Sequence, residues 1–256
     1  MPPPGSSSGS NPIKPAELGP IIFVLGAPGS GKGTLCSRFV EELPGSFRHL
    51  SVGDYLRELC SNGGFERRLQ RADVHGDGAL SPDEIARYLE ENKLLPPGTI
   101  IPLIKSKLLD DGGPSGVGWL IDGFPRDIET ARAFEKKIKK PDHVIVLLCK
   151  PLTAKKRFLE RKRSTTDDEM LFEKRLDEYQ HNERAICEHY KNKMIGVRLR
   201  NHYQCISNLA PKSTVIMMLT YQVSANDNKD ECWNDLVRAL RKFPGFEELK
   251  LDEFPF

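Results

Sequence analysis

The sequence predicts an α/β fold, in which a parallel sheet carries helices on both faces. Short apolar runs alternate along the chain with amphipathic helical stretches, an order typical of such a sheet. A glycine-rich segment follows the first apolar run, at the strand-to-helix junction where such sheets bind their ligands. The 256 residues are enough for one core domain with a smaller insert.

Each element follows from its hydrophobic periodicity. The first strand is the apolar run 21–25, and the helix after the glycine-rich segment spans 34–43, with Leu35, Phe39 and Val40 at helical spacing. The apolar runs GWLI, HVIVLL and TVIMML predict further strands at 118–121, 143–148 and 214–219, and helical patterns cover 128–138, 171–190 and 230–243.

Composition limits the classes of protein that this sequence can represent. The net charge of +2 is smaller than expected for a dedicated nucleic-acid or membrane-surface protein. No apolar run approaches the roughly 20 residues of a membrane helix, and the Pro/Gly/Ser-rich segment 1–19 reads as a disordered tail without a signal sequence. Six scattered cysteines form no CxxC pair, which indicates reduced thiols. We therefore expect a cytoplasmic protein, with the nucleus as an alternative.

The segment GAPGSGKGT at 26–34 predicts a phosphate-binding loop of the P-loop NTPase type. Its glycines allow the backbone N–H groups to face inward, where they and the helix N-terminus can hold phosphate oxygens. Lys32 would reach the terminal phosphates. Gly33 follows the lysine where Ser or Thr is usual, which displaces the magnesium-binding hydroxyl to Thr34. Asp122, at the end of the strand GWLID, is the candidate acid for magnesium.

Arginines follow the strands in several places. Arg57 ends the segment HLSVGDYLR, on a turn after an acid, and Arg126 ends IDGFPR. Further along, Arg161 and Arg163 precede two aspartates, and Arg175 lies on the next helix. Each arginine alone is typical of a solvated surface. With a phosphate loop they indicate more than one phosphorylated substrate, because the guanidinium fork binds phosphate oxygens in pairs.

Four ordered motifs, GAPGSGKGT, HLSVGDYLR, WLIDGFPR and the ERKR…DD…EKRL string, resemble the adenylate kinase and UMP-CMP kinase family. They span the chain from Ile21 to about Phe243. The resemblance implies reversible transfer of the γ-phosphoryl group of ATP to a nucleoside monophosphate, with Mg²⁺. It also implies a monomer with a parallel-sheet core, a small helical monophosphate-binding insert and a lid.

The resemblance implies a role for each matching residue. ATP phosphates would be held by Gly29, Ser30, Gly31, Lys32, Gly33, Thr34 and Arg161. The monophosphate site would comprise Val52, Arg57, Lys93, Leu94, Leu95, Gly123, Phe124, Pro125, Arg126, Thr130, Arg163 and Arg175. The catalytic group would be Lys32, Arg126, Arg161, Arg175 and Asp122, with Asp122 orienting Mg²⁺ through water.

The sequence also departs from the family pattern. Thr130 stands where an amide side chain usually reads the acceptor base, and Val52 stands where adenylate kinases tend to have Thr. Val52 favours a pyrimidine acceptor, but the choice between UMP/CMP and AMP stays open. The lid is short, about 161–168, so Arg163 would replace a missing arginine, and a zinc-bearing lid is excluded because it has no CxxC pairs.

These motifs divide the chain into one kinase domain at 20–245, with the monophosphate-binding insert at about 52–97, and a tail at 246–256. The stretch 195–213 matches no segment of the family. The short lid, Thr130, this insertion and the calcium-loop-like segment described below leave a second hypothesis, a nucleotide-binding or calcium-responsive regulatory protein with weakened catalysis.

The segment DVHGDGALSPDE at 73–84 fits a twelve-residue EF-hand calcium loop in part. The ligands would be Asp73, Asp77, Ser81 and Glu84, whereas His75 occupies a position that normally supplies oxygen. A capping box at a helix start explains Ser81 and Glu84 equally well. Both interpretations remain open at the level of sequence.

Overall fold

The computed structural model describes residues 18–61, 80–110, 116–161, 168–191, 194–195, 223–224, 229–241 and 246. The elements in chain order are β1 (Ile21–Gly26), α1 (Lys32–Glu42), β2 (Phe47–Ser51), α2 (Val52–Ser61), α3 (Pro82–Glu90), α4 (Pro97–Asp110), β3 (Gly118–Asp122), α5 (Ile128–Lys137), β4 (His143–Leu148), α6 (Pro151–Glu160), α7 (Glu169–Tyr190), β5 (Met194–Ile195), β6 (Val223–Ser224) and α8 (Lys229–Leu240). The strand predicted at 214–219, Asp73, Asp77 and Arg163 lie outside the described residues.

The strands form one parallel sheet in the order β2-β3-β1-β4-β5, and β6 also pairs with β4. Strand β1 lies in the middle, and all six of its residues are buried. Its neighbour β3 is in register with Phe23 opposite Ile121 and Val24 opposite Asp122. The carboxyl ends of β1 and β3 therefore open at the same edge of the sheet, which confirms the predicted α/β class.

Helices cover both faces of this sheet because alternate strand residues point to opposite sides. On one face Phe23 packs edge-on against Phe124, Phe134 and Tyr190. On the other face Ile22 and Val24 share a core with residues of α1 and α8, including Phe39 and Trp233. The prediction of helices on both faces is confirmed.

Six elements were missing from the prediction: β2, α2, α4, α6, β5 and β6. Strand β2 reads FRHLS, with only two apolar residues, and α4 is buried around much of its surface and contains Pro102, so neither shows simple periodicity. Arg57 was expected on a turn, but it lies within helix α2.

None of the helices in the described part of the chain is long and apolar enough to cross a membrane.

Candidate active site

The segment 26–34 forms a turn between β1 and α1. Gly31, with φ of 94°, precedes the first residue of α1, and the Ser30 amide donates to the carbonyl of Ala27 at 3.1 Å. Gly29, with φ of 77°, lies so close to α6 that an added Cβ would be 2.1 Å from the carbonyl oxygen of Ala154. A glycine-capped helix start leaves the first helical N–H groups for an anion.

Lys32 is the first residue of α1, directly after this turn. Its Nζ donates hydrogen bonds to the carbonyl oxygens of Gly26 at 2.8 Å and Ala27 at 2.9 Å. Desolvation by the surrounding protein lowers the pKa of Lys32, and the nearby Asp122 carboxylate opposes this shift. The lysine thus places a positive charge at the base of the loop, next to a carboxylate.

A cavity of about 500 Å³ opens over the loop, between the carboxyl ends of β1 and β3 and helix α7. Positive side chains dominate its lining, since four carboxylates (Asp122, Glu178, Glu183 and Asp230) face seven cations. The cations are Lys32, Arg38, Arg57, Arg126, Arg157, Arg161 and Arg175. Such an excess of positive charge within one concave site favours a ligand carrying several negative charges.

Neighbouring groups orient the arginines of the cavity. Arg126 donates from Nε to the carbonyl of Gly123 at 3.3 Å, and Arg57 pairs with Asp54. The guanidinium carbon of Arg161 lies 4.1 Å from the ring centre of Phe158. These contacts limit the positions that the side chains can take before a ligand binds.

Two carboxylates of the cavity differ in their surroundings. Asp122 ends strand β3, is only 6% exposed, and has Oδ2 3.5 Å from Nε2 of His49. Burial raises the pKa of Glu178, while Arg126 and Arg175 act in the opposite direction. Asp122 is therefore held by the sheet at the loop, whereas Glu178 is influenced by the charges of Arg126 and Arg175.

Comparison with known proteins shows which family has a sequence similar to that of this chain. The family model described as "Adenylate kinase" matches residues 24–195, which include the loop, β3 and all of α7. The chain belongs to the adenylate kinase family.

Curated adenylate kinases show the extent of the similarity. The chain is 33% identical over 176 residues to adenylate kinase isoenzyme 5 of Homo sapiens. These aligned residues make up 68% of this chain and 28% of that protein. It is 32% identical over 162 residues to isoenzyme 1 of Rattus norvegicus, and the alignment covers 62% of this chain and 74% of that protein. It is also 32% identical over 178 residues to isoenzyme 1 of Gallus gallus, where the alignment covers 68% of this chain and 82% of that protein. The chain thus spans less than a third of isoenzyme 5 and about three quarters or more of these isoenzymes 1.

The structure brings many of the predicted site residues together, but not all of them. The cavity lining includes residues 29–34, Arg57, Asp122, Gly123, Pro125, Arg126, Arg161 and Arg175. Thr130 does not face it: its hydroxyl donates to the carbonyl of Asp127 at 3.1 Å and so supports the first turn of α5. Among the described residues, the predicted acceptor-site residues outside the cavity lining are Val52, Lys93, Leu94, Leu95, Phe124 and Thr130.

The sequence analysis missed the contribution of α7 beyond Arg175. Tyr179, Glu183 and Ile186 follow Arg175 at spacings of three or four residues and line the cavity with it. This spacing marks one face of a helix, so the pattern was present in the sequence. Its orientation toward the loop depended on packing that the sequence did not show.

Ser81 and Glu84 of the calcium-loop motif form a capping box at the start of α3. The Glu84 amide donates to Ser81 Oγ at 3.4 Å, and the Ser81 amide donates to Glu84 Oε2 at 2.9 Å. The bond from the Ser81 amide, together with a bond from the Ser81 hydroxyl to Glu84 Oε2 at 2.8 Å, lowers the pKa of the Glu84 carboxyl. The two described residues thus serve the helix start, while Asp73 and Asp77 lie outside the described residues.

Proposed function

We propose that the protein transfers the γ-phosphoryl group of ATP to a nucleoside monophosphate and so makes two nucleoside diphosphates. One observation carries the proposal: Lys32 of the phosphate loop and Arg57, Arg126, Arg161 and Arg175 line a single cavity. Phosphoryl transfer depends on aligning two anions and neutralising their charge, and the acceptor oxygen is already anionic. Converging fixed cations provide both effects without a general base.

The position of each cation supports a role for it in the proposed reaction. Lys32 and the amides of the loop would bind the donor phosphates, because they lie at the start of α1. Arg57 and Arg126 lie beyond the ends of β2 and β3, where they would bind the acceptor phosphate. Arg161 and Arg175 both lie over the ring of Phe158 and line the same cavity, and they would stabilise the group in transfer.

The residues present fit a magnesium ion. Asp122 offers a carboxylate at the edge of the cavity, and Thr34 offers a hydroxyl on the same lining, both of them oxygen donors. When bound with ATP, the ion would neutralise charge between the phosphates. Asp122 would orient it through water from a position held by strand β3.

We propose AMP as the principal acceptor, with UMP or CMP as the alternative. The relatives reported above carry the name adenylate kinase. Val52, which favoured a pyrimidine in the sequence, is 5% exposed and packs in the core instead of lining the cavity. Its side chain therefore gives little support to a pyrimidine acceptor.

The test is diphosphate formation from Mg-ATP with AMP, CMP, UMP and dCMP offered separately. We expect turnover with AMP and a loss of about 100-fold or more in Lys32→Met, since removal of one group that stabilises transition-state charge typically costs this much. The matched control is Arg132→Ala, because Arg132 is an exposed cation on α5 outside the cavity lining. No turnover with any acceptor, in folded protein that still binds ATP, would favour the nucleotide-binding regulatory hypothesis.

Calcium binding at 73–84 stays a hypothesis based on the spacing of Asp73, Asp77, Ser81 and Glu84. A calcium ion there would bridge two helices within the monophosphate-binding insert and so alter acceptor binding. Calorimetry that detects no heat with calcium at millimolar concentration would dismiss it.

A further inference from the structure

We propose that Cys36, His49 and Asp122 form a binding site for a zinc-class transition metal, beneath the phosphate loop. The site differs in chemistry from the magnesium position. It shares Asp122 with that position, so its occupation would inhibit the enzyme.

The three side chains are close enough to share one ion. The ligand atoms, Sγ of Cys36, a ring nitrogen of His49 and a carboxylate oxygen of Asp122, all lie within 4.8 Å of one another. Zinc bonds of about 2.0–2.3 Å in a tetrahedron place neighbouring ligand atoms about 3.5 Å apart. The 3.5 Å between His49 Nε2 and Asp122 Oδ2 already matches this edge. The distances from Cys36 Sγ to the His49 and Asp122 ligand atoms would have to shorten by at most about 1.3 Å, which side-chain rotation can supply.

Three rigid elements hold the ligands. Cys36 lies on α1 and is 1% exposed, His49 lies on β2, and Asp122 ends β3. Strands β2 and β3 are paired, with Ser51 opposite Asp122, so the positions of His49 and Asp122 are fixed by sheet hydrogen bonds. A site on such a scaffold has little conformational entropy to lose when an ion binds.

The Nε2 atom of His49 is a second indication. It is buried and has no hydrogen-bond partner among the described residues, although Asp122 lies nearby. Buried polar atoms in folded proteins nearly always have a hydrogen-bond partner, whereas this ring nitrogen has only the long 3.5 Å ion-pair contact with the Asp122 carboxylate. A bound metal ion would satisfy it.

The donor set selects the kind of ion. A thiolate and an imidazole suit zinc and related borderline metals, whereas magnesium prefers oxygen ligands. On binding, the Cys36 thiol loses its proton to solvent, the sulfur binds the metal, and a water completes the tetrahedron.

The ion has a route to the site. His49 lines a second cavity of about 480 Å³, where the carboxylates of Asp54 and Glu58 outnumber the single cation Lys107, and Asp122 lines the main cavity. The cluster therefore lies between two openings, one of which carries negative side chains that attract cations.

Anaerobic titration of the full chain with Co²⁺ tests the site directly. We expect one equivalent to produce a thiolate-to-cobalt charge-transfer band, and Zn²⁺ to remove it by displacement. The band should be lost in Cys36→Ala and retained in Cys60→Ser, a matched control because Cys60 is an exposed thiol on α2. A band that persists in Cys36→Ala, disappears in Cys60→Ser or never forms would overturn the proposal.

His49→Gln provides a second variant, since the buried Cys36→Ala could fail to fold. His49 is only partly buried, and we expect its replacement to weaken Co²⁺ binding by about tenfold or more. Unchanged affinity in folded His49→Gln would overturn the site.

The predicted inhibition rests on the proposed kinase function, whereas the cobalt spectrum does not. Zn²⁺ should inhibit diphosphate formation by the wild type at fixed Mg-ATP, and Cys36→Ala should need at least about tenfold more Zn²⁺ for the same inhibition. A cobalt band without any turnover would refute only the kinase proposal. Turnover without a band would refute only the metal site.

Discussion

Arg175 donates a hydrogen bond from Nη2 to Oδ1 of Asn92 at 2.7 Å, across 83 positions of sequence. Beside it, Nζ of Lys174 donates to the carbonyl of Glu91 at 2.8 Å. The two contacts join α7 to the turn that follows α3, and Asn92 adopts a left-handed backbone there, with φ of 52°. An arginine of the cavity is thus oriented by the segment predicted to bind the monophosphate.

Asn92→Gly should separate this contact from the backbone conformation, because glycine accepts a left-handed φ but offers no side-chain oxygen. We expect kcat/KM for the monophosphate to fall by about fivefold, the equivalent of about 1 kcal/mol for one hydrogen bond. Asn92→Ala should lose the same activity and about 1 kcal/mol of unfolding free energy in addition. Steady-state kinetics measure kcat/KM, and urea unfolding measures the free energy of unfolding. Unchanged kcat/KM in Asn92→Gly would show that the hydrogen bond between Arg175 and Asn92 does not matter in the active form.

Gly29 and Gly31 provide a matched pair for the packing of the phosphate loop. Both have positive φ, but only at Gly29 would a Cβ meet another atom, the carbonyl oxygen of Ala154 at 2.1 Å. We expect Gly31→Ala to lower the free energy of unfolding by about 1–2 kcal/mol through backbone strain alone. Gly29→Ala should cost about 1–3 kcal/mol more, as overpacking does. Equal losses in urea unfolding would show that α6 moves away at little cost.

The capping box of α3 should be measurable as stability. Ser81→Ala removes the side chain that accepts from the Glu84 amide, and we expect a loss of about 1 kcal/mol in urea unfolding. Ser37→Ala is the control, because Ser37 is an exposed residue within α1, where alanine is the better helix former. If Ser81→Ala were as neutral as this control, the capping box would not contribute to stability.

Glu183 should make stability depend on pH. The Tyr179 hydroxyl donates to it at 2.5 Å, and burial raises the pKa of Glu183. The folded state then holds the proton more tightly than the unfolded chain. Stability is therefore fully present below the unfolded pKa of about 4.3, and it falls as pH rises through the folded pKa.

We expect Glu183→Gln, which keeps an acceptor oxygen without the charge, to be more stable than the wild type at neutral pH, and the difference to shrink toward pH 4. Urea unfolding across this range measures it. Asp177→Asn, an exposed carboxylate on the same helix, is the control. A difference in stability between Glu183→Gln and the wild type that is the same at all pH values would contradict a raised pKa of Glu183 in the folded state.

Local interactions were the ones that the sequence alone predicted well. The phosphate loop, the helix after it and the capping box of Ser81 and Glu84 depend on residues within a few positions of one another, so their patterns are visible in a single chain. Thr130 shows the limit: its position resembled that of a base-reading residue, but its hydroxyl turns back to the carbonyl of Asp127, three residues away. Side-chain direction depends on packing, which a motif does not contain.

The sequence by itself determined the α/β class, the loop around Lys32 and the set of arginines that follows it, because periodicity and glycine spacing encode these locally. Only the tertiary structure decided that Cys36, His49 and Asp122 meet, and that Arg175 reaches Asn92. The physical reason is the sheet order β2-β3-β1-β4, which places segments distant in sequence side by side and turns one face of α7 toward the loop. The excess positive charge of the cavity arises from that folding, in a chain whose net charge is only +2.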